Sequence, residues 1–167
     1  GSMYPATPGA YQLFWNGGTG GNNGNGNGIA FACDMGISQF KDDGTQLVYS
    51  TFVGGQDNET PHSLVVDNNN NLIIYGVSYS PDYPVVQNNY DVTWNGAGDI
   101  VVTKLNAAGS VVLASTYVGG AADDGINFDG QEFSAGNLKW NYGDQNRGEV
   151  VVDAQNNIYV VSCTKSF

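Results

Sequence analysis

The sequence predicts an all-β fold made of four-stranded antiparallel units that recur along the chain. Short apolar runs rich in Val, Ile, Thr and Tyr are bounded by Gly, Asn and Asp, the pattern of strands joined by tight turns. Twenty-four glycines in 167 residues punctuate those runs, which suits many turns and few helices. The chain also aligns with itself, and internal repetition decides architecture before local propensity does.

The repetition has three parts. Asp34 to Gly55 aligns without a gap on Asp99 to Gly120, an offset of 65. The leading Asp, the turn glycines Gly44 and Gly109, the Ser-Thr pairs at 50–51 and 115–116, the following Val and the closing Gly-Gly are identical. Leu64 to Tyr75 matches Val150 to Val161 at an offset of 86. Tyr83-Pro84 through Trp94-Asn95-Gly96 matches Tyr4-Pro5 through Trp15-Asn16-Gly17 at an offset of 79. The fall from 79 to 65 places 14 extra residues within 17–33, and the rise from 65 to 86 places 21 within 121–147. The organisation is therefore a half unit of outer strands (4–55), a complete unit (56–120) and a half unit of inner strands with a long loop (121–167). Gly1-Ser2-Met3 reads as an expression scar, so the lack of a leader says nothing about secretion.

Within the complete unit, Ser63–Asp67 is the first predicted strand, closed by an Asn-rich turn that tolerates the left-handed region. Leu72–Ser78 is the second. A longer connection through Tyr83-Pro84 and Trp94-Asn95-Gly96 leads to the third, Ile100–Leu105. Ala107-Ala108-Gly109 makes the hairpin to the fourth, Val111–Tyr117, with Gly109 and its counterpart Gly44 expected at positive φ. Four strands that cannot bury both faces alone, repeated along a chain, follow the logic of a propeller blade. The predicted fold is thus a β-propeller or partial propeller.

Charge excludes several partners. Only 13% of residues are charged and the net charge is −11. Such a surface repels phosphate backbones and anionic lipid, so no nucleic acid partner is expected. No apolar run reaches the ~18 residues of a membrane helix, so no membrane insertion is expected. Cations, glycans and other proteins remain open.

The strings Leu-Val-Tyr-Ser-Thr-Phe-Val-Gly-Gly (47–55) and Val-Val-Asp-x-x-x-Asn-Leu/Ile (65–72, 151–158) resemble the SBBP-type bacterial β-propeller repeat. So do the segments at 4–12 and at 99–109 (Asp-Ile-Val-Val-Thr-Lys-Leu-Asn-x-x-Gly). The resemblance covers most of the chain outside the insertions. It implies a bacterial extracellular protein with no assigned catalytic residues. Asn-rich turns, two insertions and too few units for a closed ring depart from the family pattern. Truncation, copies whose half units complete each other, or pairing of the halves within one chain would each account for the last.

The two cysteines bear on that choice. Cys163 occupies the position of Val77, near the end of the second strand of a unit, and Cys33 that of Gly98, at the start of the third. Those strands are antiparallel neighbours in a blade, so a disulfide between Cys33 and Cys163 is expected, within one chain or between two. The alternative is two small buried thiols.

Other chemistry is sparse. His62 is the only histidine and cannot alone build a catalytic or metal-His cluster. The Gly/Asn-rich stretch 17–28 lacks the Lys and helix of a phosphate cradle. Asp57 and Glu59 follow the first Gly-Gly, Asp123 and Asp124 the second, with Asp129 nearby, and Asp42-Asp43 sits in a hairpin. These read as solvated turns or local backbone hydrogen bonding, with Asp123, Asp124 and Asp129 the candidate Ca²⁺ ligands. Asp67 and Asp153 are expected to bond turn amides. The sequon Asn58-Glu59-Thr60 is followed by Pro61 and carries little weight. Trp15, Trp94, Trp140 and Tyr142 are the candidate sugar-stacking residues. Trp15 and Trp94 are repeat-equivalent and so read first as structural. The expected function is a non-catalytic secreted or cell-surface module with a scaffold or adhesive role. A glycan-binding module, with or without Ca²⁺, is the first alternative. A glycan hydrolase with paired carboxylates is the second.

Overall fold

The computed structural model describes residues 4–17, 33–126 and 148–167. Eight strands form in chain order: β1 (Met35–Phe40), β2 (Leu47–Val53), β3 (Glu59–Val66), β4 (Leu72–Ser78), β5 (Asp99–Leu105), β6 (Val112–Val118), β7 (Gly148–Val152) and β8 (Ile158–Ser162). They make a central sheet in the order β3-β4-β5-β6 and two hairpin sheets, β1-β2 and β7-β8. All pairings are antiparallel. No described residue is helical, and none of the described residues forms a helix long and apolar enough to cross a membrane. The sheets are open, with no ring closed.

The three sheets stack as layers. Successive side chains of a strand point to opposite faces. On β4, Leu72 and Ile74 face β1-β2 in a core that includes Met35, Ile37, Val53, Val101 and Tyr117. Ile73 and Tyr75 face the other way, onto Val150 of β7. Every residue of β4 is consequently buried, and its near-continuous apolar run, Leu-Ile-Ile-Tyr-Gly-Val, is the sequence of a strand covered on both faces.

Strand registers match at the sequence offsets. Met35↔Val53 through Gln39↔Tyr49 has the same pairing as Ile100↔Val118 through Lys104↔Ala114, with a bulge after Gln39 and after Lys104. Ser63↔Tyr75 through Val66↔Leu72 has the same pairing as Glu149↔Val161 through Val152↔Ile158. The turns match as well. Gly44 and Gly109 have φ of 69° and 63°, and Asn70 and Asn156 have 61° and 66°. Asp67 Oδ1 accepts the Asn69 and Asn71 amides at 2.8 Å, and Asp153 Oδ1 accepts those of Gln155 and Asn157 at 2.9 and 2.8 Å. Lys104 Nζ, 2.7 Å from Asp67 Oδ2, holds that carboxyl far below the usual range, with help from Asn71.

Two extended segments protect strand edges, which otherwise invite further pairing. Thr7 N donates to Ser50 O and Phe52 N to Gln12 O at 2.9 and 3.0 Å. Val86 N donates to Ser115 O and Tyr117 N to Asp91 O at 3.1 and 2.9 Å. Pro61 lies in β3 beside a bulge; β3 is an edge strand, where a missing amide donor is tolerated.

The structure corrects the expected pairing of the cysteines. Cys33 and Cys163 are both free thiols, exposed rather than buried. The hairpin that follows Cys33 and the hairpin that precedes Cys163 lie on opposite faces of the central sheet. With a whole sheet between them, the halves do not pair within the chain, and no intrachain disulfide forms.

Candidate functional site

The most unusual chemistry lies at two corners where a strand ends in Gly-Gly. After β2 the chain reads Gly54-Gly55 and reaches Glu59; after β6 it reads Gly119-Gly120 and reaches Asp124 at the same spacing. Each acid folds back onto the second glycine. The Gly55 amide donates to Glu59 Oε2 at 3.1 Å, and the Gly120 amide to Asp124 Oδ2 at 2.8 Å. A second acid closes each corner from the strand opposite. Asp34 Oδ2 accepts from Gln12 Nε2 at 2.7 Å and from Asn16 N at 2.9 Å. Asp99 Oδ2 accepts from Asn95 N at 2.7 Å. Oδ1 of Asp34 and Oδ1 of Asp99 are buried without a hydrogen-bond partner.

Only glycine fits where the acids converge. A Cβ on Gly54 would strike Glu59 Oε2 and lie 2.6 Å from Asp34 Cγ; one on Gly119 would strike Asp99 Oδ1 and lie 2.8 Å from Asp124 Oδ2. Neither corner can shift without breaking the bonds just described. Gly54→Ala and Gly119→Ala are each expected to lower stability by about 1–3 kcal/mol, the usual cost of overpacking. Urea unfolding at fixed pH measures this, and a loss under about 0.5 kcal/mol, the range of an ordinary surface change, would contradict it.

Burial splits the protonation of the acids. Burial pushes Glu59 up to about 7 against the opposing hydroxyls of Ser80 and Ser78 and the Gly55 amide, and the Asp34 charge adds to the rise. Asp99 is pushed up to about 6, first by burial, with the charges of Asp124 and Asp91 contributing. Burial also raises Asp34. Asp124 goes the other way: burial alone would raise it, but Thr164, Gly120 and Ser166 donate to it and bring it below the usual range. Carboxyls set apart in this way can exchange protons in an active site. Here Glu59, Asp99 and Asp124 are all buried, and the hydrogen bonds they accept come from the chain itself.

Asp123 and Asp124 also anchor the C-terminal residues. Gly98 N donates to Asp123 Oδ1 at 3.2 Å, and Lys165 N to Asp123 O at 3.3 Å. Asp124 accepts from Thr164 Oγ1 and, at 2.8 Å, from Ser166 Oγ. Asp129, the third expected Ca²⁺ ligand, lies outside the described residues. Among the described residues, no group of three or more His, Cys, Asp or Glu is placed to hold a metal ion.

Of the expected sugar-stacking residues, Trp140 and Tyr142 lie outside the described residues. Trp94 packs partly against the main core and its Nε1 donates to Ala97 O at 3.0 Å. Trp15 is exposed. No ring contact joins Trp15 to Trp94 among the described residues. His62 packs edge-on against Tyr75, ring centroids 5.2 Å apart.

Open grooves flank the central sheet among the described residues. One, of about 830 Å³, runs between β1 and the face of β3, lined by Ile37, Ser38, Pro61, Leu64, Val66 and Leu72. Another, of about 710 Å³, runs along β8 over β5 and β6, lined by Val102, Thr116, Val118, Ile158, Val160 and Cys163.

Sequence reasoning placed Glu59 among turn acids that are solvated or bonded to local backbone; the bond to the Gly55 amide fits that reading, and the burial of the carboxyl is what it missed. The signal was present: Gly-Gly followed by an acid four residues after the second glycine occurs at 54–59 and again at 119–124. No protein-family model, curated protein or solved structure matches this chain.

Proposed function

We propose that the chain is a non-catalytic module of β-propeller repeats that serves as a scaffold or adhesive platform outside a bacterial cell. The observation that carries the reading is the pair of Gly-Gly corners. The buried acids pushed furthest toward the protonated form among the described residues, Glu59 and Asp99, sit at repeat-equivalent corners, and they accept their hydrogen bonds from the chain's own hydroxyls and amides. An active centre occurs once; a device that appears at each corner supports architecture. Matching strand registers at offsets of 65 and 86 support the repeat itself. The low charge and the Asn- and Gly-rich turns fit the extracellular assignment.

The test is a glycan array run alongside a reducing-sugar assay on a polysaccharide panel at pH 5 and 7. The expected result is no sugar release above a heat-denatured control and no glycan signal that depends on Trp15. Sugar release would replace this reading with a hydrolase, and binding lost in Trp15→Ala would replace it with a lectin.

A further inference from the structure

We propose that copies of this chain assemble head to tail, with β7-β8 of one copy and β1-β2 of the next joining into one four-stranded sheet. The inference rests on the repeat reading above and adds the partner.

The first support is a mismatch in exposure between equivalent positions. Ile73 and Tyr75 of β4 are 0% exposed, whereas Tyr159 and Val161, which occupy the same register positions on β8, are 55% and 67% exposed. Leu105 of β5 is fully buried, whereas its counterpart Phe40 on β1 is 58% exposed. The apolar residues are in place in each half unit, but the layer that would cover them is missing. β1 and β8 also each have one unpaired edge, and an exposed apolar edge strand templates another strand.

The second support is that one interface answers both needs. In the complete unit, β4 pairs with β5 from Leu72↔Leu105 to Ser78↔Asp99. Transferred by the two offsets, this register sets Ile158 of one copy opposite Phe40 of the next, and Thr164 opposite Asp34. The contact between layers is likewise already seen within one chain, where Val150 and Val152 pack on Ile73 and Tyr75. Their counterparts Leu64 and Val66 are exposed and line the groove beside β1. Seating β7-β8 of a neighbour there lays Tyr159 and Val161 on Leu64 and Val66. The same step lays β1-β2 of the receiving copy into the neighbour's other groove, along β8. The assembly thus continues an interface that the chain already makes. The contact is between two different surfaces, so it propagates as a ring or a filament rather than closing as a symmetric dimer.

The third support is the placement of the cysteines. The Cys33 carbonyl accepts from Glu59 N at 2.7 Å as the Gly98 carbonyl accepts from Asp124 N at 2.7 Å, so the two backbones are equivalent. A Cβ on Gly98 would lie 3.1 Å from Val77 Cγ1. That is about the distance a disulfide keeps between one Cβ and the opposite sulfur, roughly 3 Å from its bond lengths and angles. Val77 is the counterpart of Cys163. In the joined sheet, Cys33 of one copy therefore meets Cys163 of the next. Two thiols become one disulfide when an oxidised low-molecular-weight disulfide accepts their two electrons and two protons and leaves as two thiols.

The experiment uses the full chain. Light scattering under reducing conditions is expected to give masses of two or more whole chains. Tyr159→Asp/Val161→Asp is expected to give the single-chain mass, with an unfolding midpoint that matches the wild type diluted to its single-chain mass. With oxidised glutathione, Cys33→Ser mixed with Cys163→Ser is expected to give one cross-linked dimer, whose peptide map joins Cys163 of the first to Cys33 of the second. Each variant alone is expected to give none. A single-chain mass for the wild type at all concentrations up to about 100 µM, or a Cys33–Cys33 or Cys163–Cys163 link, would overturn the assembly. Such a failure leaves the module reading standing, since that reading falls only to the activity and glycan assays.

Discussion

Glu59→Gln is expected to remove most of the loss of stability that the protein suffers as pH rises from about 4.5 to above 7. Glu59 is buried against Ser78, Ser80 and Gly55, and its carboxyl is pushed up from an ordinary 4.5 to about 7. The folded state thus holds a proton that the unfolded chain has released. Stability from this group is fully present below pH 4.5 and is lost as pH climbs through 7. A rise of that size corresponds to about 3 kcal/mol, from 1.36 kcal/mol per pKa unit. Urea midpoints of wild type and Glu59→Gln at pH 5 and pH 8 measure it. The wild type is expected to weaken strongly between the two, and the variant to keep a smaller slope from the other acids that burial raises, Asp99, which changes below and around pH 6, and Asp34. Equal slopes in the two proteins would show that Glu59 is ionised throughout and that the corner is wetter than its burial implies.

The second large effect separates equivalent residues by their surroundings. Ile73→Ala removes a fully enclosed side chain from the core shared with Tyr75, Ile100 and Val150. It is expected to cost about 2–5 kcal/mol, as large-to-small core changes do. Tyr159→Ala alters the matching position on β8, where the ring is exposed and its hydroxyl donates to Asp153 Oδ2 at 3.0 Å. In dilute, reduced protein it is expected to change stability by no more than about 0.5 kcal/mol. Chemical unfolding of both variants tests the pair. A similar cost for the two would mean that β8 is covered even in the single chain.

Much of this fold was legible in the sequence because turn chemistry and strand alternation are local. The Asn-rich loops could be read as turns because Asp67 and Asp153 satisfy nearby amides, and because Asn tolerates the positive φ seen at Asn70 and Asn156. Gly44 and Gly109 were readable for a similar reason. The strand beginning at Glu59 was placed four residues too late, because Pro61 and His62 break its pattern. Burial of Glu59 and Asp124 was not legible. It depends on Asp34 and Asp99 arriving from other strands, and acids after a Gly-Gly turn look solvated until that happens. The layer order was hidden as well. Alternation shows that β4 has two apolar faces, but not which hairpin covers which, and this is why an intrachain Cys33–Cys163 link was a fair expectation that the structure does not meet.

The two faces of the central sheet are not interchangeable: one accepts β1-β2 and the other β7-β8. A gene that gained one whole unit by duplication would present the same two ends as before, and every new junction would be one the protein already knows how to make. Gaining half a unit would instead bring two like surfaces together and leave a mismatched seam. In the proposed assembly, length is therefore expected to vary in whole units and to resist change in between.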